Sequence, residues 1–129
     1  MLLLDSTLLI GLRKELGKAH QPLHRWLACY RSERLAHSVV ARGEVLEGEA
    51  DTRAAHAWLN QFGRPLPVTA QTATIMAQTQ RARQLKGKRM GENDAWHAAT
   101  AIEQGASLVT HEKSFAGTPR LSVTWHPRL

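Results

Sequence analysis

A single cysteine, Cys29, excludes an internal disulfide and argues against the stapled folds of small secreted domains. A basic leader is missing as well: Met1-Leu2-Leu3-Leu4 reaches a carboxylate at Asp5. No apolar run approaches the roughly 20 residues needed to span a bilayer. Together these absences predict a reducing, cytoplasmic setting and no membrane partner. Repeats and low-complexity tracts are absent, so the length of 129 residues predicts one domain over 1–129. Several chemistries lack their marks. There is no G-x-S-x-G nucleophile turn and no C-x-x-C, and the seven His residues show no H-E-x-x-H spacing. Gly11 and Gly17-Lys18 imitate a phosphate loop, but five residues separate the glycines and Ala19 stands where Ser or Thr is needed. Acidic residues are in deficit, 11 against 17 Lys and Arg, for a net charge of +6. That excess favours a polyanionic partner, nucleic acid or an acidic protein.

What is present reads as alternating strands and helices. Leu2-Leu3-Leu4 is a continuous apolar run, expected of a strand buried on both faces. Ser6 and Thr7 are candidate caps for a helix carrying Leu8, Leu9, Leu12 and Leu16 at helical spacing. A second helix is predicted from Gln21 to Tyr30, with Pro22 in its first turn. Arg34 to His37 is a candidate strand, and Ser38 caps a helix from Val39 to Glu49. Asp51 caps the next helix, which Gly63 closes. Val68 reads as a very short strand, Thr69 as the cap of a long helix through Leu85, and Gly87 to Gly91 as a basic loop. Glu92-Asn93-Asp94 opens an Ala-rich helix ended by Gly105, and Ser107–Thr110 and Leu121–Thr124 read as late strands. With no Asn-Gly or Asp-Gly hairpin signal, this order predicts an α/β fold with a mainly parallel sheet of four or five strands covered on both faces.

Ligands of open parallel sheets gather beyond the carboxyl ends of the strands. Asp5 ends the first strand, and Glu112 follows Thr110 by two residues. Asp94 opens the helix leading into that later strand, and Glu44 lies past Ser38 in the third helix. Each has a plainer role open to it. Asp5 can merely cap a helix, and Asp94 can merely complement a helix dipole. Glu44, like Glu47, can be a solvated charge, and Glu112 an ordinary loop residue. As a set they carry more information. Carboxylates drawn together raise one another's pKa and cost stability until a cation neutralises them. Oxygen-only donors suit Mg²⁺ or Mn²⁺, which can activate water and stabilise the departing oxygen in phosphodiester hydrolysis. The basic residues Arg81, Arg83, Lys86, Lys88 and Arg89 precede Asp94 and can hold RNA phosphates, or can simply form a solvated helix end. Trp26 and Trp96 can stack a base, though packing is the commoner use of such residues.

Leu2-Leu3-Leu4-Asp5-Ser6-Thr7 resembles the opening of PIN domains. Ser38 to Gly48, with Gly43-Glu44, looks like their second motif; Asn93-Asp94 with Ala98-Ala99-Thr100-Ala101 is similar to the third. Leu108-Val109-Thr110-His111-Glu112 through Phe115 matches the fourth region. The match runs through essentially the whole chain and is nearest to VapC-type toxins of bacterial toxin–antitoxin pairs. The resemblance implies a three-layer α/β/α domain and an endoribonuclease dependent on Mg²⁺ or Mn²⁺. It further implies an RNA substrate such as tRNA, a homodimer, and a cognate VapB-like antitoxin. It carries metal binding and catalysis onto Asp5, Glu44, Asp94 and Glu112, with Ser6 or Thr7 orienting Asp5 or its water. Three positions depart from the pattern: Thr7 where Asn or Ser is common, Glu112 where Asp is usual, and Ser114 in place of an acid. The departure at Ser114 and the charge of +6 motivate a competing expectation, a nucleic-acid-binding or regulatory module with a weakened site.

Overall fold

The computed structural model describes residues 1–127. Four strands, β1 (Leu2–Leu4), β2 (Leu35–Ala36), β3 (Ser107–Thr110) and β4 (Ser122–Trp125), form one sheet in the order β2-β1-β3-β4. All three pairings are parallel, with Leu2 opposite both Leu35 and Ser107. The helices are α1 (Ser6–Glu15), α2 (Pro22–Ala28), α3 (Val39–Glu47), α4 (Thr52–Leu59), α5 (Ala70–Leu85) and α6 (Glu92–Gln104).

Strand alternation sends successive side chains to opposite faces, and the core divides accordingly. Leu2, Leu4 and Val109 pack with Leu8, Leu9 and Leu12 of α1, Leu23 of α2, and Ala41 and Val45 of α3. Leu3 and Leu108 pack on the other side with Ala95, Ala98 and Ala101 of α6, Met90 and Phe115. The result is a three-layer α/β/α arrangement. Because Leu3, Leu4, Leu8 and Leu9 are essentially sealed from water, truncating any of them to Ala costs about 2–5 kcal/mol. On α6 the small Ala side chains let the helix backbone lie close to the sheet. The helix stops at Gly105, whose φ of 61° is the left-handed conformation that glycine adopts without penalty.

Several expectations shift. Ser6 and Thr7 lie within the first turn of α1, and the cap is Asp5, which accepts the Leu8 N–H at 2.8 Å. The helix expected from Gln21 to Tyr30 is shorter, and Gln21 provides no side-chain cap. Glu15 takes that part, accepting the N–H groups of Leu23 and His24 at 2.8 and 3.0 Å. No strand forms at Val68; a single parallel bridge joins Ser38 and Leu66 instead, just before Pro67, which has no N–H to extend it. A fifth strand is absent among the described residues, and α5 occupies that stretch, opened by a reciprocal Thr69–Thr72 capping box. The last strand begins and ends one residue later than the pattern predicted. Among the described residues no helix is long and apolar enough to cross a membrane.

Candidate active site

Parallel pairing of β1 and β3 sets their carboxyl ends side by side, and the Asp5 N–H donates to the Val109 carbonyl at 3.2 Å. The Asp5 side chain is buried at 3% exposure. Burial pushes its carboxyl above the ordinary aspartate value. The adjacent Thr110 hydroxyl, the Leu8 N–H and the fields of His126 and His97 offset part of that rise. Thr110 is itself sealed from water, and its hydroxyl accepts the Glu112 N–H at 3.0 Å. One threonine therefore braces the chain at both Asp5 and Glu112.

Asp94 lies in the first turn of α6 and is half-buried. Its carboxyl is also raised, first by burial. His97 pulls the other way, and the negative fields of Glu44, Glu112 and Asp5 push it higher. Asp94 thus senses all three other acids, which places the four around one edge. Glu44 reaches that edge from α3 under different conditions. Its Oε1 lies 2.7 Å from Nε2 of His97, a residue only 2% exposed. That hydrogen bond holds Glu44 below the ordinary glutamate value against the opposing effect of burial; Ser6 and Asn93 support it. Glu112 is exposed, with Oε1 3.4 Å from His111 Nε2. Ser6 is buried and bonds toward Glu44, whereas Thr7 is exposed and lines a hollow with His111 and His126.

Among the described residues no three His, Cys, Asp or Glu side chains stand at spacing that would already grip a metal ion. The acids influence one another's titration without closing into a cage. An octahedral, water-retaining ion such as Mg²⁺ needs only one or two direct carboxylates. Two raised carboxyls within a set of four carboxylates are the condition that such an ion relieves, so these oxygen donors fit a hard divalent cation.

The basic run divides. Arg83 is buried, donating from Nε to the Lys88 carbonyl at 2.8 Å and from a terminal nitrogen to Ala116 O and Thr118 Oγ1 at 3.3 and 2.9 Å. Its guanidinium is committed to these neutral acceptors, which removes it from the candidate phosphate ligands. Arg89 is exposed and paired with Glu92 at 3.0 Å, while Arg81, Lys86 and Lys88 face solvent. Trp26 packs against Tyr30 and His126, with ring centroids 4.8 and 5.8 Å apart, and is unavailable for stacking on its inner face.

Three neighbours of the acids escaped the sequence reading. His97 follows Asp94 by one helical turn, so the spacing alone puts both on one face. Thr110 ends β3 and gave a signal only as a strand residue. His126 comes from beyond β4, and no local pattern ties it to Asp5.

A model of the PIN domain matches residues 2–121. No curated protein matches the sequence. Among solved structures, VapBC2 from Rickettsia felis, bound to a DNA fragment from its promoter, superposes with a TM-score of 0.79 at 19% identity, covering 98% of each chain. VapBC-1 from nontypeable Haemophilus influenzae gives 0.76 at 22% identity over 97% of this chain and 96% of the other. FitAcB from Neisseria gonorrhoeae gives 0.76 at 19% identity, with 95% and 96% covered.

Proposed function

The chain belongs to the PIN-domain family, and from that premise we propose that it is a divalent-metal-dependent endoribonuclease, the toxin of a VapBC-type pair. The observation that carries the reading is Asp94, a raised carboxyl within the fields of Asp5, Glu44 and Glu112 at the carboxyl edge of the sheet. Asp5, Asp94, Glu44 and Glu112 hold the cation, which is Mg²⁺ or Mn²⁺ by the hardness of the donors. When bound, that ion supplies the Lewis acidity for hydrolysis of an RNA phosphodiester.

The chain's own residues perform the remaining work. His97 fixes the Glu44 carboxylate and keeps it ionised. Ser6, beside Glu44, and Thr110, between Asp5 and Glu112, keep the acids in register. Arg81, Lys86, Lys88 and Arg89 offer phosphate contacts beside the start of α6. A VapB-like antitoxin as partner accords with the VapBC complexes to which the fold is similar; a homodimeric assembly follows only from the family resemblance.

The test is cleavage of tRNAs and other structured RNAs with Mn²⁺ or Mg²⁺ by the native chain, Asp5→Asn and Asp94→Asn, alongside calorimetric metal titration. Metal-dependent cutting that both substitutions abolish is the expected result. A native chain that neither cuts RNA nor binds metal would instead be a nucleic-acid-binding regulatory module.

A further inference from the structure

Beside the acidic edge lies a groove of about 770 Å³ lined by His111, Glu112, Lys113, Ser114, Trp125 and His126. Glu112 belongs both to this groove and to the set of acids around Asp94. Trp125 ends β4 directly opposite Thr110, the residue that braces Asp5, yet it is 46% exposed. An indole left so open at the carboxyl edge of a parallel sheet forgoes burial that its area would otherwise reward.

The back of the groove is fixed. His126 is 6% exposed, its Nδ1 2.9 Å from the Pro127 carbonyl and its Nε2 3.3 Å from His111 Nδ1. The His111 and His126 rings meet edge to face, centroids 4.9 Å apart, and the partly buried Trp26 packs against His126. The walls are therefore two imidazoles, an ammonium, a hydroxyl, a carboxylate and the Ala116 methyl, with one large apolar face at the rim. That mixture suits a planar, hydrogen-bonding ligand carrying a phosphate.

We propose that this groove seats an unpaired RNA base next to the phosphate addressed by the acids, with Trp125 as its stacking face and Lys113 beside its phosphate. The assignment rests on the ribonuclease reading and adds to it a determinant of substrate choice. Stacking tolerates every base, whereas hydrogen bonds from the groove walls discriminate among them.

The experiment is fluorescence anisotropy in EDTA with labelled oligouridine and a matched abasic ribose-phosphate oligomer. The native chain is expected to bind the oligouridine more tightly than the abasic oligomer. Trp125→Ala should weaken oligouridine binding about 5- to 150-fold, the usual range for one stacked base, and leave abasic binding unchanged. Trp125→Phe should retain most of the affinity. Equal native affinity for the two oligomers overturns the proposal without needing any variant to fold. So does an equal loss of both in Trp125→Ala, or a change in its sedimenting mass, which would mark the face as one for self-association. Because cleavage plays no part in this measurement, the two readings fail separately. Normal cutting without base preference removes the groove assignment alone, and base-dependent binding without metal-dependent cutting removes the nuclease.

Discussion

The acidic edge and the clasp that ties α5 to the loop after it are both built from buried polar groups, and they end in opposite states. In the clasp, Gln80 exchanges two hydrogen bonds with the Met90 backbone at 2.8 and 2.9 Å. Arg83 finds neutral oxygens on Lys88, Ala116 and Thr118. Donors there meet acceptors, and the chain is held. At the edge, by contrast, Asp5 and Asp94 sit in surroundings that oppose their ionisation. The comparison teaches where to look for chemistry in this fold. Buried polarity that closes on itself builds structure, whereas buried charge left in excess waits for a ligand of opposite sign.

Neutralising one acid gives the largest expected effect. Asp94→Asn should lower metal-dependent RNA cleavage about 100-fold or more, near 3 kcal/mol of transition-state stabilisation. In metal-free buffer its thermal midpoint should hold or rise, because a like charge has been removed. Loss of several degrees without metal would break the contrast. Next comes Arg83→Met, which should cost about 2–4 kcal/mol in urea denaturation by leaving buried carbonyls unpaired. Its calorimetric metal affinity should stay unchanged. If RNA affinity fell while stability did not, Arg83 would return to the phosphate ligands.

The regions differ equally in how legible they were. The order of elements followed from apolar periodicity and caps, because each depends on residues a few positions apart: Leu2–Leu4, Ser38, Asp51, Thr69 and Gly105 all act where their neighbours predict. Errors arose where tertiary partners decide. Val68 has strand-forming chemistry, but Pro67 and the pairing of Ser38 with Leu66 end the ladder before it. The cap of α2 comes from Glu15, a residue of another helix. Asp5, Glu44, Asp94 and Glu112 were readable as acids at strand and helix ends. That Glu44 is tied to His97 while Asp94 is not neutralised was invisible, since it depends on how α3 and α6 pack. Arg83 looked like its basic neighbours until its helical phase turned it inward.

A buried polar contact that is satisfied on one side only sharpens the contrast through pH. His37 is fully buried, its Nε2 accepts from Arg42 Nε at 3.1 Å, and Nδ1 has no hydrogen-bond partner among the described residues. Burial first, then the Arg42 charge, lowers its pKa to about 4; the nearby Phe62 backbone offsets only part of this, from outside bonding geometry. The folded value lies below the ordinary 6.5, so the unfolded chain takes up the proton first as pH falls. Stability is therefore full above 6.5 and declines toward pH 4, by up to about 3 kcal/mol. His37→Leu should flatten that slope in urea midpoints taken across the window. An unchanged slope would place the acid sensitivity elsewhere, with His126, lowered in the same direction, as the next group to test.

The smallest effect compares two carboxylates directly. Glu15 is as buried as many core residues, but it accepts from Leu23 N, His24 N and, at 2.8 Å, from His24 Nδ1. Burial pushes its pKa up, and those bonds together push it further down, leaving it below the ordinary 4.5. A depressed carboxylate contributes stability above 4.5 that is lost as pH falls through its folded value. Glu15→Gln should then cost about 1 kcal/mol at neutral pH, the scale of a helix cap bonded by a charge. The difference from the native chain should shrink as pH falls below 4.5 and vanish only below the lowered folded value, where Glu15 itself becomes protonated. Neutralising Glu15 destabilises and neutralising Asp94 does not, although both are acids taken out of water. A neutral-pH cost for Asp94→Asn equal to that for Glu15→Gln would show that the edge is already balanced within the chain, with no cation required.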